Sequence, residues 1–392
     1  MIYLLAFIVL IGVIVFVHEL GHYLAARSVG VTVERFSLGM PPKLIDITKK
    51  KNSTDLEIYF FKIINKKIKW DKISTISFQR NQKPSDTIFG IGLLPLGGFV
   101  KMKGILDENM DQEITGEPDE LESKNPLQKI WVMSAGVIMN IILTFAVFSS
   151  IGLIEGDMVP VSSDPIIFAV EPGGPADLAG IQSGDEILSI NNIATNTWNE
   201  ATSIIMQYPN DTVSIQLSRN DTIVFAQASL LAAPNIKTGR VDQEIGILGV
   251  AEEMKSAPLG LLGSISYGLN QTKWSAILML SSLKMIFTGN VSNEDVGSVI
   301  MIGDIAGQAA QAGLVPFLYI MALISMNLAF INLLPVPALD GGHIFIILLE
   351  SLRRKKFTLK TRMRIQSFGM FILLGLMAYL ILNDIVRYFF NG

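Results

Sequence analysis

Apolar and polar positions separate here over whole segments rather than single turns. Residues 2–17, 130–154, 314–339 and 365–383 contain no Asp, Glu, Lys or Arg. A helix needs about 20 such residues to cross the hydrocarbon core, so the pattern predicts spans at residues 1–26, 130–154, 314–339 and 365–385. A fifth apolar stretch, 259–288, is interrupted by Lys273 and Lys284 and is rich in Ser and Gly. It reads as an amphipathic helix lying on the membrane or against the bundle. Between the first two spans, residues 56–64 and 73–78 are rich in β-branched and aromatic residues, the mark of strands. The run Phe89-Gly90-Ile91-Gly92-Leu93-Leu94-Pro95-Leu96-Gly97-Gly98-Phe99 is apolar, too glycine-rich for a helix and too short to span. A loop over about residues 87–103 can dip toward the bundle and offer Gly90, Gly92, Leu93 and Leu94 as a strand edge to an extended chain. An ordinary buried hairpin fits the same spacing. Residues 107–122 hold eight acids and read as a solvated loop.

Composition agrees with a polytopic α-helical membrane protein. Half of the 392 residues are hydrophobic, 17% are charged and the mean hydropathy is +0.45, which excludes an ordinary water-soluble enzyme. The absence of cysteine excludes disulfides and thiolate metal sites. The net charge of −4 decides little, and no basic stripe suggests nucleic acid. Its distribution says more. Residues 27–129 hold 17 of the 31 Lys and Arg, and residues 340–364 hold seven. Residues 155–313 hold six, against 17 acids. The positive-inside rule then puts 27–129 and 340–364 in the cytoplasm, and both termini and the middle segment outside. No Lys or Arg precedes Arg27, so the first span lacks the basic start of a cleaved signal peptide and is expected to stay in the mature chain.

The chemistry is concentrated at the end of the first span, in His18-Glu19-Leu20-Gly21-His22. Two histidines four apart lie on one helix face and can hold one zinc ion, with Glu19 beside them to take a proton from water. Ionisable groups inside hydrocarbon mark function by default. Hydrolytic zinc sites commonly take three protein ligands. A third histidine six residues after His22 would continue one known pattern, but Ser28 stands there. Far along the chain, Asp340 and His343 follow 26 uncharged residues and the prolines at 335 and 337. Either can supply the missing ligand by chemistry alone.

The pair His18-Glu19-Leu20-Gly21-His22 and Asn332-Leu333-Leu334-Pro335-Val336-Pro337-Ala338-Leu339-Asp340-Gly341 resembles the two active-site motifs of the site-2 protease family of intramembrane zinc metalloproteases. Residues 170–192 resemble the start of a PDZ domain, expected over 160–235 within an outer segment that continues through 236–313. The order of site, loop, span, PDZ, span and site is similar to the regulator-of-sigma-E protease (RseP) group in a single-PDZ form. The resemblance implies four transmembrane helices, a membrane re-entrant β-loop and an inserted extracytoplasmic PDZ domain. It implies one Zn2+ per chain held by His18, His22 and Asp340, Glu19 as general base, Asn332 as substrate contact, and His343 in a structural role. It further implies a multi-pass protein of the bacterial inner membrane with its site toward the cytoplasm. Its substrates would be transmembrane proteins, such as an anti-sigma factor or a remnant signal peptide, with a peptide or C-terminus met by the PDZ domain. The departures are a single PDZ domain, valine at 137, and a long basic insertion over 49–82. A catalytically silent PDZ scaffold, a metal transporter and a membrane-anchored protease of soluble chains are the rival readings. Glu19 between two zinc ligands has no use in a scaffold.

Overall fold

The computed structural model describes residues 2–64, 67–81, 83–104, 115–235, 240–289 and 297–390. Residues 107–114, the first half of the acid-rich loop expected at 107–122, therefore lie outside the described residues. The chain forms two compact units, Met1–Val147 with Ser292–Gly392, and Phe148–Val291.

The first unit opens with α1 (Ile2–Ser28), apolar throughout until the histidines. Four strands follow: β1 (Val33–Lys49), β2 (Ser53–Ile64), β3 (Lys67–Gln79) and β4 (Ile88–Met102). They form one sheet in the order β3-β2-β1-β4. β1 bends at Gly39, whose φ of 84° suits glycine, and its two limbs take different neighbours. The second limb pairs with β2, Ile45 opposite Ile58 and Thr48 opposite Asp55. The first half of β4 lies between the limbs, so Gly90 faces both Ser37 and Asp46. The second half of β4 pairs only with the first limb, Gly98 opposite Leu38 and Phe99 opposite Ser37. Helix α2 (Pro126–Ile154) follows, entered through an Asn125–Gln128 exchange of hydrogen bonds that satisfies end-of-helix donors.

The second unit carries β5 (Asp157–Pro160), β6 (Ala169–Val170), the short α3 (Pro175–Leu178), β7 (Glu186–Ile190), β8 (Ile193–Ala194) and α4 (Trp198–Ile205). It continues with β9 (Thr212–Arg219), β10 (Thr222–Ser229), β11 (Leu231–Asn235), β12 (Arg240–Ile247), β13 (Val250–Ala251) and β14 (Met254–Ala257). A sheet in the order β10-β9-β7-β8 covers a core of Ile167, Ile187, Ile190, Val213, Ile215 and Leu217. Thr197 caps α4 by accepting from Glu200 N. Leu248 joins this core and β13 pairs with β6, so the folded unit runs past the boundary at 235 drawn from local pattern. Helix α5 (Leu261–Thr288) ends at Gly289 in the left-handed conformation.

The first unit resumes with α6 (Val299–Ala312), α7 (Leu314–Leu333), α8 (Asp340–Arg353) and α9 (Leu359–Phe390). The third helix is shorter than the 314–339 span expected, because Pro335 and Pro337 cannot continue it. Among the described residues, four helices are long and apolar enough to cross a membrane: Ile2–Ser28, Pro126–Ile154, Leu314–Leu333 and Lys360–Val386.

Candidate metal centre and active site

α1 buries His18 and His22 on one face, at 7% and 6% exposure. Their Nε2 atoms lie 3.2 Å apart, and Asp340 Oδ2 lies 3.2 Å from the first and 3.3 Å from the second. A tetrahedral zinc ion with bonds of about 2.0 Å has ligand atoms roughly 3.3 Å apart. The three side chains thus outline one face of such a tetrahedron, and the fourth corner is left for water or substrate. Three lone-pair atoms this close would repel one another without a cation between them, and Asp340 Oδ2 is buried with no hydrogen-bond donor. The donor set fits zinc.

Asp340 reaches this place because the chain stops being helical at Leu333 and restarts at Asp340 itself. Ala338 adopts a φ of 77° in the connection. A side chain at Gly341 would meet Leu333 O at 2.3 Å, and one at Gly342 would meet Val336 O at 2.2 Å, so both glycines let the new helix fold back on its own approach. The carboxylate stands in the first turn of α8, where the helix dipole favours negative charge.

The surrounding groups fix the imidazoles. His22 Nδ1–H donates to Val132 O at 2.8 Å, which leaves Nε2 with a free lone pair for metal. The buried Asn140 amide lies 3.3 Å from His18 Nδ1. The structure turns the amide nitrogen to that ring and leaves Oδ1 unpartnered; the flipped amide, which metal at His18 Nε2 requires, would accept from Nδ1–H and set the same tautomer. A Cβ at Gly136 would sit 2.5 Å from both His18 Cε1 and His22 Nε2, and one at Gly21 would sit 2.4 Å from Ala135 O. These two glycines allow α1 and α2 to approach closely enough for the site to exist. Asn140 and Gly136 were not among the residues expected from sequence. The signal for Asn140 was an amide inside 25 uncharged residues; for Gly136 there was none beyond a small residue in a span.

Two further side chains meet the triad. Asn332, in the last turn of α7, brings Nδ2 to 3.3 Å from His18 Nε2. Glu19 is half-buried, and its Cγ lies 3.0 Å from where a Cβ of Gly98 would be. The outer half of β4 therefore runs past the carboxylate. This corrects the strand edge expected at Gly90 and Gly92. Gly90 is paired on both sides, and Gly92 is enclosed by Met40 O and Gly39, so neither offers a free edge. Leu93 and Leu94 lie at the bend between the two halves of β4, 43% and 44% exposed. Among the described residues, the half-strand with one partner is Gly98–Met102. His343 stays outside the triad, 3.3 Å from the Gln366 amide through its Nε2.

A buried His-Glu-x-x-His pair on a helix apolar enough to span a bilayer, met by a distant aspartate in the first turn of a shorter helix, has the geometry of a metallopeptidase site. Residues 6–64 and 66–376 match peptidase family M50. A Campylobacter jejuni chain bearing a zinc-metalloprotease name is 32% identical, with 98% of this chain and 93% of that one covered. Zinc metalloprotease RasP of Shouchella clausii is 29% identical, covering 98% and 99%. Regulator of sigma-W protease RasP of Bacillus subtilis is 27% identical, covering 98% of each. Among solved structures, the PDZ domain of an SdrC-like protein from Listeria monocytogenes is 24% identical over 24% of this chain and 93% of its own, with a TM-score of 0.19. The chain belongs to peptidase family M50, the site-2 proteases. It is a zinc-dependent metalloendopeptidase of regulated intramembrane proteolysis, and Zn2+ is its cofactor.

Proposed function

We propose that His18, His22 and Asp340 hold one zinc ion, that Glu19 is the general acid–base, and that the bond cut lies in or beside a substrate's transmembrane segment. The single observation carrying this reading is the 3.2–3.3 Å triangle of ligand atoms with Glu19 next to it. Zinc, when bound there, supplies a Lewis acid that polarises the scissile carbonyl and acidifies water. Glu19 takes a proton from the water whose oxygen attacks the carbonyl carbon. It returns that proton to the amine nitrogen as the C–N bond breaks. Asn332 donates its amide N–H to the carbonyl oxygen as charge builds on it.

A helical substrate hides its scissile carbonyl in an internal hydrogen bond. The half-strand Gly98–Met102 pairs on one side only among the described residues and passes Glu19, so an unwound stretch of substrate pairing there would recover its lost backbone bonds next to the base. The Lys and Arg distribution supports a cytoplasmic position for this sheet and an extracytoplasmic one for residues 155–313. On that outer side, the PDZ-like unit has a groove of 560 Å³ between Thr202, Ile205 and Met206 on one wall and residues 245–251 on the other. We read it as a substrate filter, by peptide capture or by exclusion of bulky outer domains. The name of the B. subtilis relative supports an anti-sigma factor as the kind of substrate.

The test is Glu19→Gln beside wild type, purified, on a single-span substrate and on a soluble one. The variant keeps its zinc and loses single-span cleavage by at least about 100-fold. Wild type that cuts the soluble chain as fast as the single-span one would replace this reading with that of a membrane-anchored protease of soluble chains. A variant that still cuts would end the assignment of Glu19.

A further inference from the structure

The sheet β1–β4 has two unlike faces. Phe36, Phe89, Ile47, Leu56 and Ile76 stand directly across from one another, strand to strand. Two residues along each strand, Leu38, Ile91, Ile45 and Ile58 do the same. The row between them is Ser37, Gly90, Asp46, Glu57 and Thr75, and it points the other way. Around Asp46 and Glu57 that face satisfies itself, Arg35 pairing with Asp46 and Glu57 accepting from Lys72 at 2.9 Å and Tyr59 at 2.8 Å; nearer the hairpin tip Phe61 and Trp70 pack against each other on it.

The apolar face is covered at its inner end alone among the described residues. Phe36 packs on Phe16 and Tyr23 of α1, ring centroids 5.8 Å apart in each case, and Phe89 packs on Tyr23 at 5.9 Å. Tyr23 lies in the last two turns of a membrane-spanning helix, so the face begins where that span ends. Farther out, Ile91, Phe60, Ile76 and Phe78 are between 44% and 57% exposed. Lysines rim the same face. Lys49 Nζ lies 5.9 Å from the Phe89 ring centroid, and Lys62 and Lys69 stand directly opposite each other beside Phe60. Like charges opposed on one sheet face are destabilising unless an anion sits between them.

We propose that this face, widened by the β2–β3 hairpin, is a seat for an anionic bilayer surface, with its apolar side chains among the acyl chains and its lysines on lipid phosphates. Exposed apolar area of this extent marks an interaction site. Lysine stems lie along such a surface while the ammonium reaches outward, and anionic headgroups attract them. A second copy of the chain would bring the same lysine rim against this one, which charge opposes. The seat holds the sheet at a fixed depth beside α1 and owes nothing to the assignment of the metal ligands.

The chain has no cysteine, so single cysteines can be labelled uniquely. Full-length protein carrying Ile76→Cys or Phe78→Cys, on the apolar face, or Thr75→Cys, on the polar one, is labelled with bimane. Each is placed in nanodiscs of phosphatidylcholine with or without phosphatidylglycerol. Labels at 76 and 78 should be quenched several-fold more by brominated lipid than by iodide, and the label at 75 the reverse. Lys62→Gln with Lys69→Gln should weaken lipid quenching at 78 in the phosphatidylglycerol discs and leave it unchanged in phosphatidylcholine alone. Iodide quenching at 76 and 78 equal to that at 75 overturns the proposal. So does shielding from both quenchers, which would mean that protein covers the face. Loss of the lysines without effect in the anionic discs overturns the headgroup contact. Zinc content measured on the same labelled chains keeps this result apart from the fate of the catalytic reading.

Discussion

His18 and His22 lie within a few ångströms of Asp340 because three separate backbone features cooperate: helical spacing, a glycine contact between α1 and α2, and a broken third span. The glycine contact is the most sensitive of these. Gly136→Ala would drive a methyl group to 2.5 Å from both imidazoles. Zinc binding should weaken by roughly 10-fold to 100-fold, the range seen when groups orienting metal ligands are displaced. Zinc retention in a chelator titration checks it. The histidines were legible in sequence because a four-residue spacing maps directly onto one helix face. Asp340 stood out together with His343 after 26 uncharged residues, and only the family resemblance chose between the two. Asn140 and Gly136 were not, since their roles depend on which helix packs against α1, and no local pattern carries that information.

At the scale of elements, β4 is the informative case. Its glycines were read as one edge, but β1 bends at Gly39 and wraps its two limbs around the first half of β4. Which half of a strand is free is a matter of long-range pairing, invisible to local alternation. Gly98, rather than Gly90, is therefore the strand glycine that lies against Glu19, the proposed base. A methyl group there would press within 3.0 Å of Glu19 Cγ, Ser37 O and Val15 Cγ1. Gly98→Ala should keep zinc and lower cleavage of a single-span substrate by up to about 100-fold, the cost of a misplacement near 1 Å. Unchanged cleavage with normal zinc would remove the strand from the mechanism.

A second element-scale device ties α2, α8 and α9 together. Arg362 donates to Glu350 at 2.9 and 2.6 Å and to Glu122 at 2.9 Å, and Lys129 donates to Glu122 at 2.8 Å. Burial pushes the Glu122 carboxyl up, but the hydrogen bonds from Arg362 and Lys129 outweigh it and hold it at about 2, below its ordinary 4.5. A carboxylate with a lowered value stabilises the fold in full above its unfolded value. That contribution fades as pH falls from about 4.5 toward 2. Glu122→Gln should cost about 2 kcal/mol at neutral pH and flatten the acid limb of the melting curve. Thermal melts of both chains in detergent across that window measure it, and identical acid limbs would contradict it.

On the scale of the whole molecule, composition alone gave the membrane class, and four helices long and apolar enough to span lie over the uncharged runs. Their ends were less legible. Prolines cut the third span back to Leu333, and the fourth helix extends at both ends beyond the 365–385 expected. The second unit likewise runs past the end at 235 expected for its PDZ domain, because β13 returns to pair with β6, eighty residues earlier in the chain. The proposed ligands come from helices more than 300 residues apart, so metal retention reports on the folded bundle as well as on the site. The most direct test is zinc content per chain, with single-span cleavage, for wild type, Glu19→Gln and Asp340→Ala. The account predicts one zinc in wild type, one zinc without cleavage in Glu19→Gln, and neither zinc nor cleavage in Asp340→Ala. An Asp340→Ala chain that keeps its zinc and still cuts would contradict it.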